Sequence, residues 1–381
     1  LVGGVFYVIG QGFIRLMQML VVPLVFCSLV CGAAAIGDTK TLGKVGVKTI
    51  GFYLVTTMLA VAVALSVASI VNPGLGLDMS QVQTAETTIS ESSMSMSETL
   101  LNIIPKNPIE ALATGNMLQI ILFALIVGLL LAKLQDKVQL ITNFFQQGND
   151  IMMEMTMMIM RAAPIGVFCL IAKTFSELGF SAMVPMFKYM GAVLLALVVQ
   201  CLGVYQILLK LFTGLNPFRF IRKFAPVMGF AFSTATSNAT IPLSIETLEE
   251  KVGVSRRISS FTIPLGATIN MDGTSIMQGV AVVFVAQAFG IALTPADYLT
   301  VIATATLASI GTAGVPSVGL ITLAMVFDSV GLPVAGIGLI MGIDRILDMA
   351  RTAVNITGDA VCTTIVAHQD GALDKKVFNK K

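Results

Sequence analysis

Long apolar stretches separated by short polar joints organise the chain. They cover roughly residues 2 to 36, 42 to 71, 111 to 132, 148 to 172, 184 to 213, 258 to 293 and 334 to 367. Each is long enough to cross a bilayer as a helix, which takes about 20 apolar residues. Seven spans are therefore predicted. Between 72 and 105 the sequence turns polar, with NPGLGLDMSQ followed by a Ser/Thr/Met-rich run ending near Pro105, and it contains no Lys or Arg. That composition predicts an extracellular loop.

The basic residues orient the spans, because Lys and Arg gather on the cytoplasmic side. They cluster at Lys40, Lys44 and Lys48; at Lys133 and Lys137; at Lys210, Arg219, Arg222 and Lys223; at Lys251, Arg256 and Arg257; and at Lys375, Lys376, Lys380 and Lys381. The loops near 72 to 105, 174 to 182, 288 to 300 and 328 to 338 have almost none. Clusters and bare loops alternate except in two places: the segment from Asn216 to Arg257 starts and finishes on basic clusters, and that from about Thr294 to Pro333 starts and finishes in bare loops. Each must return to the side it came from. Both break midway at small and hydroxyl residues followed by proline, STATSNATIP at 233 to 242 and SIGTAGVP at 309 to 316. They predict two re-entrant helical hairpins entering from opposite faces, since non-helical backbone at membrane depth is tolerated only where it is buried or lines a cavity. Two such interrupted segments, each followed by a full span, are the trace of an inverted repeat with its binding site at the midplane. Two ordinary kinked helices would spoil the charge alternation.

Composition agrees with a lipid solvent: 56% hydrophobic, 12% charged and a mean hydropathy of +0.89 over 381 residues is more apolar than one soluble core can hide. A net charge of +2 in scattered clusters implies no nucleic-acid partner. Cys27, Cys31, Cys169, Cys201 and Cys362 show no metal-ligand spacing and the single histidine is His368, so no structural metal is expected. The absence of GxSxG and HExxH patterns speaks against an enzyme, and no organic cofactor is implied. The opening stretch has no basic n-region or small-residue cleavage site and does not read as a signal peptide.

The candidate chemistry lies in two places. In GIDRILDMARTAVNITGD, residues 342 to 359, the side chains of Asp344, Asp348, Arg351, Thr352, Asn355 and Asp359 fall within an arc of about 100° on a helix. Each charge at bilayer depth costs about 2.5–3.5 kcal/mol or more on insertion scales, so this stripe demands partners or water. Internal pairing of Asp348 with Arg351 and of Asp344 with Arg345 would neutralise part of it and leave Asn355 and Asp359 unexplained. The second place is NMDGT at 270 to 274, where Asn, Asp and Gly interrupt a span and free its carbonyls. Carbonyls beside a carboxylate suit a hard cation.

With hairpins, stripe and NMDGT together, the chain resembles the glutamate transporter family of dicarboxylate/amino acid:cation symporters, most of all its archaeal and bacterial aspartate and glutamate carriers. The resemblance runs from Leu1 to the C-terminal tail, although the family has eight spans and its first has no counterpart here. It implies an all-α polytopic membrane protein with inverted repeats: scaffold spans at 1–71, an extracellular loop at 72–105, scaffold and peripheral spans at 106–213, and a transport core at 214–381. Within that core it places hairpin 1 at about 217–252, the broken span at about 258–293, hairpin 2 at about 296–333 and the last span at about 334–369. It further implies a homotrimer in the cell (inner) membrane with a cytoplasmic C-terminus, importing L-aspartate or L-glutamate with sodium by alternating access.

For the substrate, the resemblance implies Arg351 for the side-chain carboxylate, Asp348 for the amino group and Asn355 with Thr274 for the α-carboxylate, closed over by Ser237 and Asn238 of the first hairpin tip and Val315 and Gly319 of the second. A guanidinium fork matches a carboxylate and a desolvated Asp matches an ammonium, which supports these roles independently. For sodium it implies three sites. Asp359 with Gly266, Asn270 and Asn355 makes the first; Thr268 with Ser309, Ile310 and Thr312 the second; and Asp272 with Asn270, Tyr53, Thr56 and Thr57 the third. One departure bears on the ion. The arginine that several archaeal relatives carry in the first hairpin matches Ala235, and the one animal relatives carry in the last span matches Met349, with Arg345 one turn earlier. Proton-coupled glutamate/aspartate or C4-dicarboxylate symport is therefore the alternative. An anion channel lacks support from any repeated pore loop.

Overall fold

A computed structural model describes residues 2–37, 43–77, 101, 104–115, 117–162, 164–166, 168–169, 172, 183–310 and 318–380. Among them the chain is helical, with one isolated β-bridge between Val254 and Leu373 and no named strand. One group of helices consists of α1 (Val2–Gly37), the short α3 (Pro108–Thr114), α4 (Met117–Leu134) and α5 (Gln139–Met160), packed mainly on one another. The helix expected over 148 to 172 starts earlier, at Gln139, and its first part ends at Met160 in a turn at residues 161–162, with helical residues again from Pro164, where proline suits the first turn of a helix.

The second group forms around α2 (Gly43–Val71), which follows α1 in sequence but packs against elements from the other end of the chain. Its neighbours are α6 (Met183–Val198), the broken span and the last span; α6 continues through a π-turn at Val199–Val204 into α7 (Tyr205–Thr213). Ala60, Ala64 and Ala68, spaced by four residues on α2, are fully buried. Opposite them, a Cβ at Gly279 would stand 2.9 Å from the Ala64 Cβ. Small residues at matching heights let two helices approach where lipid offers no hydrophobic drive to association. Gly279→Leu is expected to destabilise the protein by about 1–3 kcal/mol through overpacking, read as a fall in the melting temperature of the detergent-purified protein, with Gly279→Ala closer to wild type.

Two further helix pairs flank the broken span in sequence. The first is α8 (Pro217–Thr234) with α9 (Ser237–Thr247), which pack on each other. The first helix is capped by Asn216, whose side chain accepts from the Arg219 amide, and it is stopped by Ala235 at φ 51. That left-handed residue followed by the extended Thr236 is the break expected from the hydroxyl-rich run. Between the pairs lie α10 (Arg256–Ile269) and α11 (Asp272–Ala288). The second pair is α12 (Pro295–Ser309), opened by a Thr294/Asp297 capping box, with α13 (Val318–Ser329); residues 311–317 between them lie outside the described residues. The short α14 (Ile337–Met341), α15 (Asp344–Gln369) and α16 (Lys375–Asn379) complete the chain.

By length and composition, three helical stretches among the described residues can cross a membrane: Lys44–Val71, Met183–Thr213 and Arg256–Ala288. Large apolar side chains such as Val8, Ile70, Phe144, Ile207 and Leu211 stand exposed on the outer surface, an outer surface suited to lipid. Charge is drawn inward instead, onto α15 and the break between α10 and α11.

Candidate substrate and cation site

Helix α15 brings its charges together in a buried chain. Arg351 is 1% exposed. Its Nη1 donates to Asp344 Oδ1 at 2.5 Å and its Nη2 to Asp348 Oδ1 at 2.8 Å. Of the internal pairings weighed as the alternative, that of Asp348 with Arg351 is present, whereas Asp344 turns to Arg351 and not to Arg345. Residues seven apart lie on one face of a helix, about 20° from each other, while immediate neighbours diverge by about 100°. Arg345 is 60% exposed and its Nη1 reaches Asp348 Oδ2 at 3.9 Å. Charges thus alternate through successive ion pairs: Arg345 to Asp348, Asp348 to Arg351, Arg351 to Asp344.

One turn further, α15 is tied to the broken span. Asn355 Oδ1 accepts from the Gly273 amide at 2.7 Å, and its Nδ2 points to Met271 Sδ at 3.2 Å. The neighbouring Thr274 is buried, and a Cβ at Gly319 would fall 2.6 Å from its methyl and 3.7 Å from Arg351 Nη2. Gly319 therefore stands against Thr274 and Arg351, with Asn355 tied to the Gly273 next to Thr274, and Gly319 permits that approach by having no side chain.

NMDGT separates α10 from α11 as expected: Asn270 ends the first at φ −102 and Met271 precedes the second at φ −113. Asn270 Nδ2 donates to Asp359 Oδ1 at 2.9 Å, and the Thr56 hydroxyl lies 3.4 Å from Asn270 Oδ1. Asp272 accepts from Thr57 Oγ1 and from Tyr205 Oη, each at 2.6 Å. Tyr53 Oη donates to the Thr262 carbonyl at 2.8 Å. A Cβ at Gly266 would fall 2.5 Å from Asp359 Oδ1 and 2.7 Å from Tyr53 Oη, so a missing side chain again makes room. Helix α2 brings Thr56 and Thr57 to the break, and Tyr53 into the same interior. Sequence reasoning missed Tyr205, which sits in an apolar run, and Gln200, whose Nε2 donates to the Thr56 carbonyl at 3.2 Å; a tyrosine and a glutamine five apart on an apolar helix were the available signal.

The remaining residues are more scattered. Thr268 bonds back to the Pro264 carbonyl at 3.2 Å, while Ser309 donates to the Ile269 carbonyl at 3.1 Å, at the end of the same helix; Ile310 is buried. Ser237 is buried and its carbonyl accepts the Thr240 hydroxyl, whereas Asn238 is exposed. Thr312 and Val315 lie outside the described residues. Among the described residues, the buried charged side chains are Asp272, Asp344, Asp348, Asp359 and Arg351. Four carboxylates against one guanidinium leave a formal excess of three negative charges, which an apolar interior holds only with bound cations or protons.

A helical membrane chain whose charges converge on a broken span and a guanidinium-bearing helix is a solute carrier. The sodium:dicarboxylate symporter family model matches residues 2–369, and the chain belongs to that family: it is a symporter and not an enzyme. It is 38% identical over 374 residues to the proton/sodium-glutamate symport protein of Bacillus caldotenax, covering 97% of this chain and 88% of that protein. It is 37% identical over 377 residues to the proton/glutamate-aspartate symporter of Escherichia coli (strain K12), covering 96% and 86%. The C4-dicarboxylate transport protein 1 of Ralstonia nicotianae is 35% identical over 373 residues, covering 96% and 87%.

Proposed function

We propose that the protein imports an acidic amino acid, L-aspartate or L-glutamate, coupled to sodium by alternating access. The observation that carries this is the buried Arg351 paired with Asp348 at 2.8 Å beside Asn355, Thr274 and Gly319. A guanidinium and a carboxylate a few ångströms apart form a complementary pair for a ligand that bears both a carboxylate and an ammonium. A neutral amino acid, whose single carboxylate goes to Asn355 and Thr274, would leave Arg351 without a side-chain carboxylate. Relatives named for glutamate and aspartate agree with this reading.

Cation coupling follows from the excess of buried negative charge. Sodium is favoured because the groups around Asp272 and Asp359 are hard oxygens: carboxylates, the Asn270 amide, the Thr56, Thr57 and Tyr205 hydroxyls, and main-chain carbonyls. The second reading is proton-coupled symport of glutamate/aspartate or of a C4-dicarboxylate, favoured by relatives with those names. In the first reading the two helix pairs are re-entrant hairpins of opposite orientation, and together with the broken and last spans they move against a scaffold. The basic C-terminal tail faces the cytoplasm of the inner membrane, and three copies assemble as a homotrimer.

Uptake of radiolabelled aspartate into proteoliposomes tests the coupling. An inward sodium gradient at equal pH is expected to drive accumulation at least tenfold above a sodium-free control. Accumulation that ignores sodium and follows an inward proton gradient would transfer the coupling to protons.

A further inference from the structure

The alternating charges on α15 end at a residue outside the pocket. Asp348 is held on one oxygen by Arg351 and approached on the other by Arg345, at 3.9 Å, from a side chain that is 60% exposed. On the proposed function, on which this inference rests, the ligand's ammonium takes Asp348. A dicarboxylate without an ammonium would occupy Arg351 with its own carboxylate, set its charge against Asp348 and be rejected, unless a second cation of the protein stood at Asp348. Arg345 is that cation. It projects from the turn before Asp348, and its long stem lets it swing between the carboxylate and water.

We infer that Arg345 determines specificity by standing in for the substrate's amino group at Asp348, so that the carrier also accepts C4-dicarboxylates lacking that group. An acidic amino acid displaces Arg345 into solvent, at small loss because the side chain is already mostly hydrated. A dicarboxylate leaves it in place and uses its charge. The residue therefore acts on the two ligand classes in opposite directions: it competes with an ammonium and substitutes for an absent one.

Competition of succinate against radiolabelled aspartate, on the detergent-purified protein at saturating sodium and pH 6, tests this. Wild type is expected to bind aspartate and to be competed by succinate. Arg345→Gln is expected to weaken succinate at least tenfold while tightening aspartate about threefold, and Arg345→Lys, which keeps the charge, to recover most of the succinate competition. A structural role for Arg345 would move both ligands in the same direction. Parallel shifts, or succinate competition indifferent to the substitution, would overturn the inference. Wild-type protein that binds aspartate but is not competed by succinate would overturn it without any variant, and leave the proposed function standing. Failure of wild type to bind aspartate at all would remove the proposed function and this inference with it.

Discussion

Arg351→Ala is expected to abolish acidic amino acid binding. Arg351 is the one buried cation among the described residues, and it satisfies two buried carboxylates, Asp344 at 2.5 Å and Asp348 at 2.8 Å. Breaking a buried pair by removing one partner costs about 3–5 kcal/mol. Spent on binding, that is a loss of roughly a hundredfold to several thousandfold in affinity, at about 1.4 kcal/mol per decade. The same truncation leaves Asp344 and Asp348 buried without their guanidinium, so the variant also loses stability and must be assayed on material that elutes as a single species. Arg351→Lys separates the two effects. It keeps the charge and much of the packing but has no planar fork with which to hold Asp344 and meet a ligand carboxylate at once. It is expected to fold near normally and still lose at least tenfold in aspartate affinity. Aspartate affinity unchanged in either variant would remove Arg351 from the binding site.

Much of this was legible in the sequence because the membrane makes polar residues informative. A stripe of charges on a helix, a proline after small hydroxyl residues and NMDGT within a span are each costly in lipid, so each marks a place where the fold supplies partners. The helix break after Ile269 and the inward face of α15 follow from those marks, while the meeting of Asn270 with Asp359 came only from the family resemblance. What periodicity could not supply was the partner of each group. Asp344 sits beside Arg345 in sequence, but the helical twist assigns it to Arg351. Tyr205 and Gln200 are single polar residues in an apolar helix, and only the packing of α6 and α7 against α2, α11 and α15 brings them to the break. Likewise α2 lies early in the chain among predicted scaffold spans, yet its alanine face seats it against α11 and carries Thr56 and Thr57 to the site.

That placement makes Asp272 the sharpest test of cation coupling. Its two oxygens accept from Thr57 and Tyr205, both at 2.6 Å, and it is fully buried. Two neutral hydroxyl donors orient the carboxylate but cannot neutralise it, so its charge is available to a bound cation. Asp272→Asn removes that charge and turns one acceptor into a donor facing a hydroxyl. Tyr205→Phe removes one donor and leaves the charge. Asp272→Asn is therefore expected to flatten the dependence of aspartate affinity on sodium, lowering the slope of log Kd against log sodium by about one ion and weakening binding at low sodium at least tenfold. Tyr205→Phe is expected to keep the slope while shifting the sodium midpoint by tenfold or more, since it removes a hydrogen bond to a charged group that contributes about 1.5–3 kcal/mol, and the single Thr57 hydroxyl proton is already given to the other oxygen. Equal slopes in wild type and Asp272→Asn would place the sodium elsewhere. A slope near zero in wild type, with affinity that rises as pH falls, would make the buried carboxylates carriers of protons.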